Sequence, residues 1–234
     1  MKREIPWVDP ITHELFVVND KQISSKSSSF PIVNGIPNFT ENISDEIQKQ
    51  VQESFGEKWT KTTFANDDQK FENLIKPIYL EMMGLQENDL DIFNDKTILE
   101  VGIGSGSSSR LWCKQAKEFH GVDISKAVYD VSNNLKFFCV NPILSQADIN
   151  NLPYRDESFD VIVSNGVFHH TPNTKTSLRN SLKKLKVGGF CVFYIYKKKS
   201  PIREFSDDHI RSKISNLPYD EAYEKIKTIT NFGK

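Results

Sequence analysis

The sequence predicts an α/β protein built on a doubly wound, mostly parallel sheet, preceded by a small β-rich segment. Three observations carry this. From Lys96 to Tyr196, short apolar runs alternate with amphipathic ones, the signature of strands joined by crossover helices. Residues 98 to 106, Ile-Leu-Glu-Val-Gly-Ile-Gly-Ser-Gly, form an apolar run that breaks into three glycines spaced two apart. Finally, acidic or polar residues follow successive apolar runs, and in an open parallel sheet those positions converge beyond the carboxyl ends of the strands.

The first 41 residues hold short β-prone runs: Glu14 to Val18, and Phe30 to Pro37 after the polar stretch Ser24 to Ser29. They read as two or three small strands. Residues 42 to 95 turn helical, with Ile47, Val51 and Phe55 on one stripe. Phe71, Leu74, Ile75 and Ile78 form another, which Pro77 should bend. This helical part is expected to cover the glycine segment, with Phe55-Gly-Glu-Lys-Trp59 as a lid element.

Residues 96 to 197 form the core. Its expected strands are Thr97 to Val101, His120 to Ile124, Ile143 to Ala147, Phe159 to Ser164 and Gly189 to Ile195. One helix stripe is Val128, Val131 and Leu135, with Ser125 as N-cap; a second is Leu178, Leu182 and Leu185. Residues 198 to 234 form a tail whose last amphipathic helix runs from about Tyr219 to Ile229.

Bulk properties set the function classes aside in order. With 30 basic and 31 acidic residues the net charge is -1, so no global field marks a nucleic-acid or membrane-surface binder. A small partner is expected, and no nucleic acid. No stretch approaches the ~18 apolar residues of a membrane span, and the first residues lack the apolar core of a signal peptide, so the expected location is cytoplasmic. Cys113, Cys139 and Cys191 include no Cys-x-x-Cys pair, which argues against a disulfide framework or a thiolate zinc site and for buried, reduced thiols.

The candidate site follows from the strand order. After the first core strand come Gly102, Gly104 and Gly106, which let a ligand lie directly on the main chain. After the second comes Asp123, 17 residues beyond Gly106, near the distance at which an acid reaches ribose hydroxyls. Asp148 and Ile149 follow the third strand, the acid placed to accept from an exocyclic amine. Asn165 to His170 follow the fourth, and His169 and His170 are the candidate bases at the reaction edge. A nicotinamide enzyme would share the glycines and the first acid. However, the pattern is not Gly-x-Gly-x-x-Gly, because position 107 is Ser, and Glu100 would repel a pyrophosphate. A serine hydrolase is disfavoured, since no Gly-x-Ser-x-Gly elbow occurs.

Taken in order, these residues resemble the class I S-adenosylmethionine-dependent methyltransferases, particularly the small-molecule branch similar to ubiquinone-biosynthesis enzymes. The segments concerned are Glu100 to Gly106, Gly121 to Ser125, Ala147 to Tyr154, Ser158 to His170 and Leu185 to Gly189, over residues 96 to 197. The resemblance implies a Rossmann-like fold, S-adenosylmethionine as cofactor and methyl transfer to a small-molecule acceptor. It also implies that Asp123 holds the ribose, Asp148 the adenine amine, the glycine loop the methionine end, and Glu100 the cationic region through its loop. Asn165 is implied as a further cofactor contact.

The first segment is similar to a small zinc ribbon, but Asp9 and Thr12 stand where the first thiolate pair would be and the second pair is lost among serines. A metal-free ribbon is expected. The fold usually ends in a strand hairpin that the tail lacks, so the chain is expected to be a fragment. The rival expectation is a noncatalytic methyltransferase-like scaffold or activator.

Overall fold

In the computed structural model, residues 7–40, 49, 52–54, 56, 68–139, 141–197, 200–214 and 217–231 are described. The stripe Ile47, Val51 and Phe55 lies outside them, as does the proposed lid except for Gly56. The chain divides into two units, residues 1–195 and 196–234.

The first unit opens with a four-stranded antiparallel meander, β1 (Val17–Val18), β2 (Gln22–Ser24), β3 (Ser29–Val33) and β4 (Ile36–Pro37). This is one strand more than expected. The additional hairpin turns on Asn34-Gly35, whose φ values of 52° and 79° match the mirror-image turn that suits strand twist. Phe16, Phe30 and Phe39 fill its interior with ring centroids 5.1 to 5.9 Å apart, over Ile23 and Ala147.

A helical stretch follows from Asp68, passes through a π-helical turn at Phe71–Ile75 and continues as α1 (Lys76–Met83). The Lys76 N–H bonds the Phe71 carbonyl, five residues back. That added residue rotates the stripe, which corrects the expected face. Phe71, Leu80 and Met83 are buried, whereas Leu74 and Ile78 are 55% and 49% exposed. Pro77 lies in the first turn of α1, directly after the π-helical turn.

The core sheet comprises β5 (Thr97–Val101), β6 (Glu118–Asp123), β7 (Ile143–Gln146), β8 (Phe159–Asn165) and β9 (Leu185–Tyr194). Its order is β7-β6-β5-β8-β9, all parallel. The order reverses between β5 and β8, so the switch point lies there. One apolar layer sets Ile98, Val161 and Val163 against Phe93, Trp112 and Leu135; the other sets Leu99, Val101 and Ile162 against Phe159 and Phe168. The expected α/β architecture is the one observed.

Between the strands, α2 (Ala127–Leu135) buries Val128, Val131 and Leu135 as expected. Its N-cap position is Lys126, although the Ser125 hydroxyl still accepts the Ala127 N–H at 3.4 Å. The second helix, α3 (Thr174–Leu182), packs Leu178 against the core but corrects the rest of the expected leucine stripe. It buries Ser177 and Ser181, leaves Leu182 39% exposed, and ends before Leu185, which begins β9. The small serines allow close approach, and the Ser177 hydroxyl reaches Asn150 Oδ1 at 2.8 Å. Cys113 and Cys139 are buried and Cys191 half-buried, all as free thiols.

The second unit holds α4 (Pro201–Ile214) and α5 (Tyr219–Asn231). Among the described residues no strand follows β9. No described helix is long and apolar enough to cross a membrane.

Candidate functional site

The site grows from the turn that ends β5. Gly102, Gly104 and Gly106 all take positive φ, at 75°, 51° and 74°. At Gly102 a second constraint applies, because an added Cβ would run into the Val167 side chain from the loop after β8. The two loops flanking the switch point therefore touch. Gly102→Ala is expected to cost about 2 kcal/mol through left-handed strain and displacement of Val167, lowering Tm by about 4–8 °C in a thermal melt.

Asp123, at the end of β6, ties that strand to the loop. Its Oδ2 accepts the Gly104 N–H at 2.8 Å, and its Oδ1 accepts the Ser125 N–H at 2.8 Å and the Ser125 hydroxyl at 2.7 Å. Burial raises its pKa above the ordinary value, against those three hydrogen bonds. A carboxylate offers about four acceptor positions, so one remains for a further donor. Nearby Gly121 owes its lack of side chain to packing, since a Cβ there would lie 2.5 Å from Ile103 Cδ1.

Glu100 is buried within the core face of β5. Its Oε1 accepts the Ser108 hydroxyl at 3.0 Å, and its Oε2 accepts the Ser109 hydroxyl at 2.6 Å and the Trp112 indole N–H at 3.0 Å. It thus anchors the short helical turn Ser108–Leu111 that follows the glycine loop. Burial pushes its pKa up to about 7, and the Asp123 charge adds to the rise. Ser108, Ser109 and Trp112 were not foreseen as functional. The spacing of Ser108 and Trp112, one helical turn apart behind a buried acid, is the signal that could have found them.

Asp148 caps the short helical turn Ile149–Asn151, its Oδ1 accepting the Asn150 N–H at 2.9 Å. Ile149 is buried beside Leu152 and Tyr154. Asn165 ends β8, opposite Tyr194 of β9, and Gly166 turns the chain at φ 73°. His169 and His170 lie in the next turn with ring centroids 4.1 Å apart, and burial lowers the His169 pKa below its ordinary value. At the C-terminal ends of β5 and β6, Asp123 is thus bonded to the glycine loop itself and Glu100 to the turn that follows it. Asp148 and Ile149 follow β7, and Asn165 to His170 follow β8.

The region that corresponds to the zinc ribbon's first ligand pair is a hydrogen-bonded turn. Asp9 is buried; its Oδ1 accepts the Ile11 and Thr12 N–H groups at 2.9 and 2.8 Å, and its Oδ2 accepts the hydroxyls of Ser25 and Ser28. Burial raises its pKa, but the bonds from Ser28, Thr12, Ile11 and Ser25 together hold it below the ordinary value.

Known proteins match the chain over this same sheet. The family described as a methyltransferase domain matches residues 99–193. An uncharacterized methyltransferase, YcgJ of Bacillus subtilis, is 24% identical over 133 residues, covering 56% of this chain and 53% of that protein. A ubiquinone biosynthesis O-methyltransferase of Coxiella burnetii is 28% identical over 122 residues, covering 52% of this chain and 50% of that protein. The crystal structure of YcgJ superposes with a TM-score of 0.47 over 56% of this chain and 57% of that one, at 24% identity. The chain spans about half the length of the curated relatives it matches. Residues 99–193 thus match a methyltransferase domain, and the sheet within them is a Rossmann-like, doubly wound parallel sheet.

Proposed function

We propose that the chain transfers a methyl group from S-adenosylmethionine to a small-molecule acceptor. The observation that carries the reading is the Asp123 carboxylate bound to the Gly104 N–H. One acid fixes the glycine loop and keeps an acceptor position at the edge of the sheet, where a ribose hydroxyl would be held. The remaining residues fit the cofactor. The positive-φ loop presents backbone for the methionine end, and Asp148 with Ile149 would take the adenine, and Asn165 would line the floor.

The cofactor, when bound, supplies an activated methyl on a sulfonium. The chain's own work is alignment: oriented intramolecular reactions gain up to ~7 to 11 kcal/mol from placement alone. A base is needed only where the acceptor must lose a proton, and His169 and His170 are the groups proposed for it. The lowered pKa keeps His169 neutral, and so able to accept a proton, at pH 7. If one of the two serves as base, its replacement by alanine lowers kcat about 100-fold and leaves cofactor affinity unchanged. The wild-type rate then falls only below the ordinary imidazole pKa, and the variant loses that limb of the pH profile.

The near balance of charge, -1 overall, supports a small acceptor over a nucleic acid. Calorimetric titration with S-adenosylhomocysteine tests the cofactor reading; no heat and no thermal shift at millimolar ligand would sink it. Mass spectrometry of a cell extract supplied with the cofactor tests turnover. A protein that binds yet methylates nothing would be the noncatalytic scaffold instead.

A further inference from the structure

We propose that the N-terminal β module is a clamp that positions the Asp148 loop for the adenine end of the cofactor, an inference that rests on the cofactor reading above. The loop at residues 147–152 is held by main-chain bonds at both ends. On one side the Phe39 N–H donates to the Gln146 carbonyl at 2.7 Å, and Asn38 pairs with Gln146 in parallel register. On the other side the Val8 N–H donates to the Pro153 carbonyl at 3.0 Å, and Trp7 pairs with Tyr154. Asp148 lies between these two attachments. Ala147, its neighbour, is part of the module's own aromatic interior.

The two jaws are tied to each other through Asp9. It adjoins Val8 in sequence, and its carboxylate accepts the hydroxyls of Ser25 and Ser28 at the turn between β2 and β3. From that turn the chain runs through β3, the Asn34-Gly35 turn and β4 directly into Phe39. Asp9, Thr12, Ser25 and Ser28 form two pairs, each spaced by three, as in four-ligand zinc knuckles, but here a carboxylate and hydroxyls join the two turns. A bond that reaches the loop from both sides fixes its position, and a side chain must be held within about 0.5 Å to read a base edge. Asp9 is therefore a positioning residue acting on Asp148 through Val8 and Phe39.

The test uses the full chain and two ligands, S-adenosylhomocysteine and S-inosylhomocysteine, in which a carbonyl replaces the adenine amine. Wild type is expected to prefer the first. Asp9→Ala should reduce that preference about tenfold, as Asp148→Ala does, and the double variant should lose no more than Asp148→Ala alone. Ser25→Ala combined with Ser28→Ala, which keeps Asp9 and its backbone partners, gives the same readout should Asp9→Ala not fold. A preference unchanged in the folded variants, with only Tm lowered, overturns the clamp and leaves the cofactor reading standing. A wild type that binds both ligands equally overturns the clamp through Asp148. A wild type that binds neither overturns the cofactor reading itself.

Discussion

Asp123→Ala is expected to abolish binding of S-adenosylhomocysteine and to destabilise the fold by about 3 kcal/mol. The stability cost follows from what the carboxylate satisfies. Without it the Gly104 N–H, the Ser125 N–H and the Ser125 hydroxyl are left in a buried site, and unpaired buried donors cost about 1–3 kcal/mol each before relaxation. Binding suffers twice: the proposed ribose acceptor is gone, and the glycine loop loses the bond that holds Gly104 to β6. Asp123→Asn separates the two effects. Its single carbonyl oxygen can keep the Gly104 N–H or the Ser125 pair but not all three, so a smaller stability loss with an equally complete binding loss is expected. Denaturant unfolding beside calorimetric titration reads both. An Asp123→Ala protein that keeps wild-type affinity would remove the acid from the site.

How much of this was legible follows from the physics of each element. β5 and β8 are buried over most of their length, and their apolar runs Ile98-Leu99 and Val161-Ile162-Val163 need no partner to identify them. The expected start of β6 at His120 fell two residues late because Glu118 breaks the run, yet Glu118 pairs with Thr97 in register. β9 was foreseen from Gly189 although it begins at Leu185. The reason is an irregularity: Phe159 opposes Leu185 but Val161 opposes Phe190, so a bulge around Gly188, at φ 82°, carries the turn inside the strand. In the site, the glycines and Asp123 were visible because spacing along a strand-turn-helix is a local property. The partners of Glu100 were not, since an acid inside an apolar strand announces burial without saying which donors meet it.

Glu100 yields the other large effect, and its sign follows from linkage. The ordinary carboxyl value is 4.5 and the folded value is about 7, so between those pH values the folded state keeps a proton that the unfolded chain has released. Stability from this group is therefore full below the ordinary value, declines as pH rises toward about 7, and stays at its lower level above. The gap corresponds to about 3 kcal/mol. Glu100→Gln removes the titration and keeps the shape. Its oxygen can accept from Ser109 and the donor-only Trp112 indole while its amide donates to the Ser108 hydroxyl, as the protonated acid does. The variant should accordingly match wild type near pH 5 and exceed it by several degrees in Tm near pH 8, about 2–4 °C per kcal/mol. A Tm difference independent of pH would show that Glu100 does not titrate with folding.

The same proton couples to the ligand on the proposed reading. A sulfonium near the glycine loop stabilises the ionised acid, whereas S-adenosylhomocysteine, otherwise alike, lacks that charge. Binding of the cationic ligand should therefore release a proton from Glu100 below pH 7 and be favoured as pH rises. The ratio of affinities for S-adenosylmethionine and S-adenosylhomocysteine is expected to climb between pH 6 and 8 in wild type and to stay flat in Glu100→Gln. Titrations in buffers of different ionisation enthalpy count the released proton directly. A flat ratio in wild type would confine Glu100 to holding Ser108, Ser109 and Trp112, and the preference for a cation would then have to come from elsewhere in the loop.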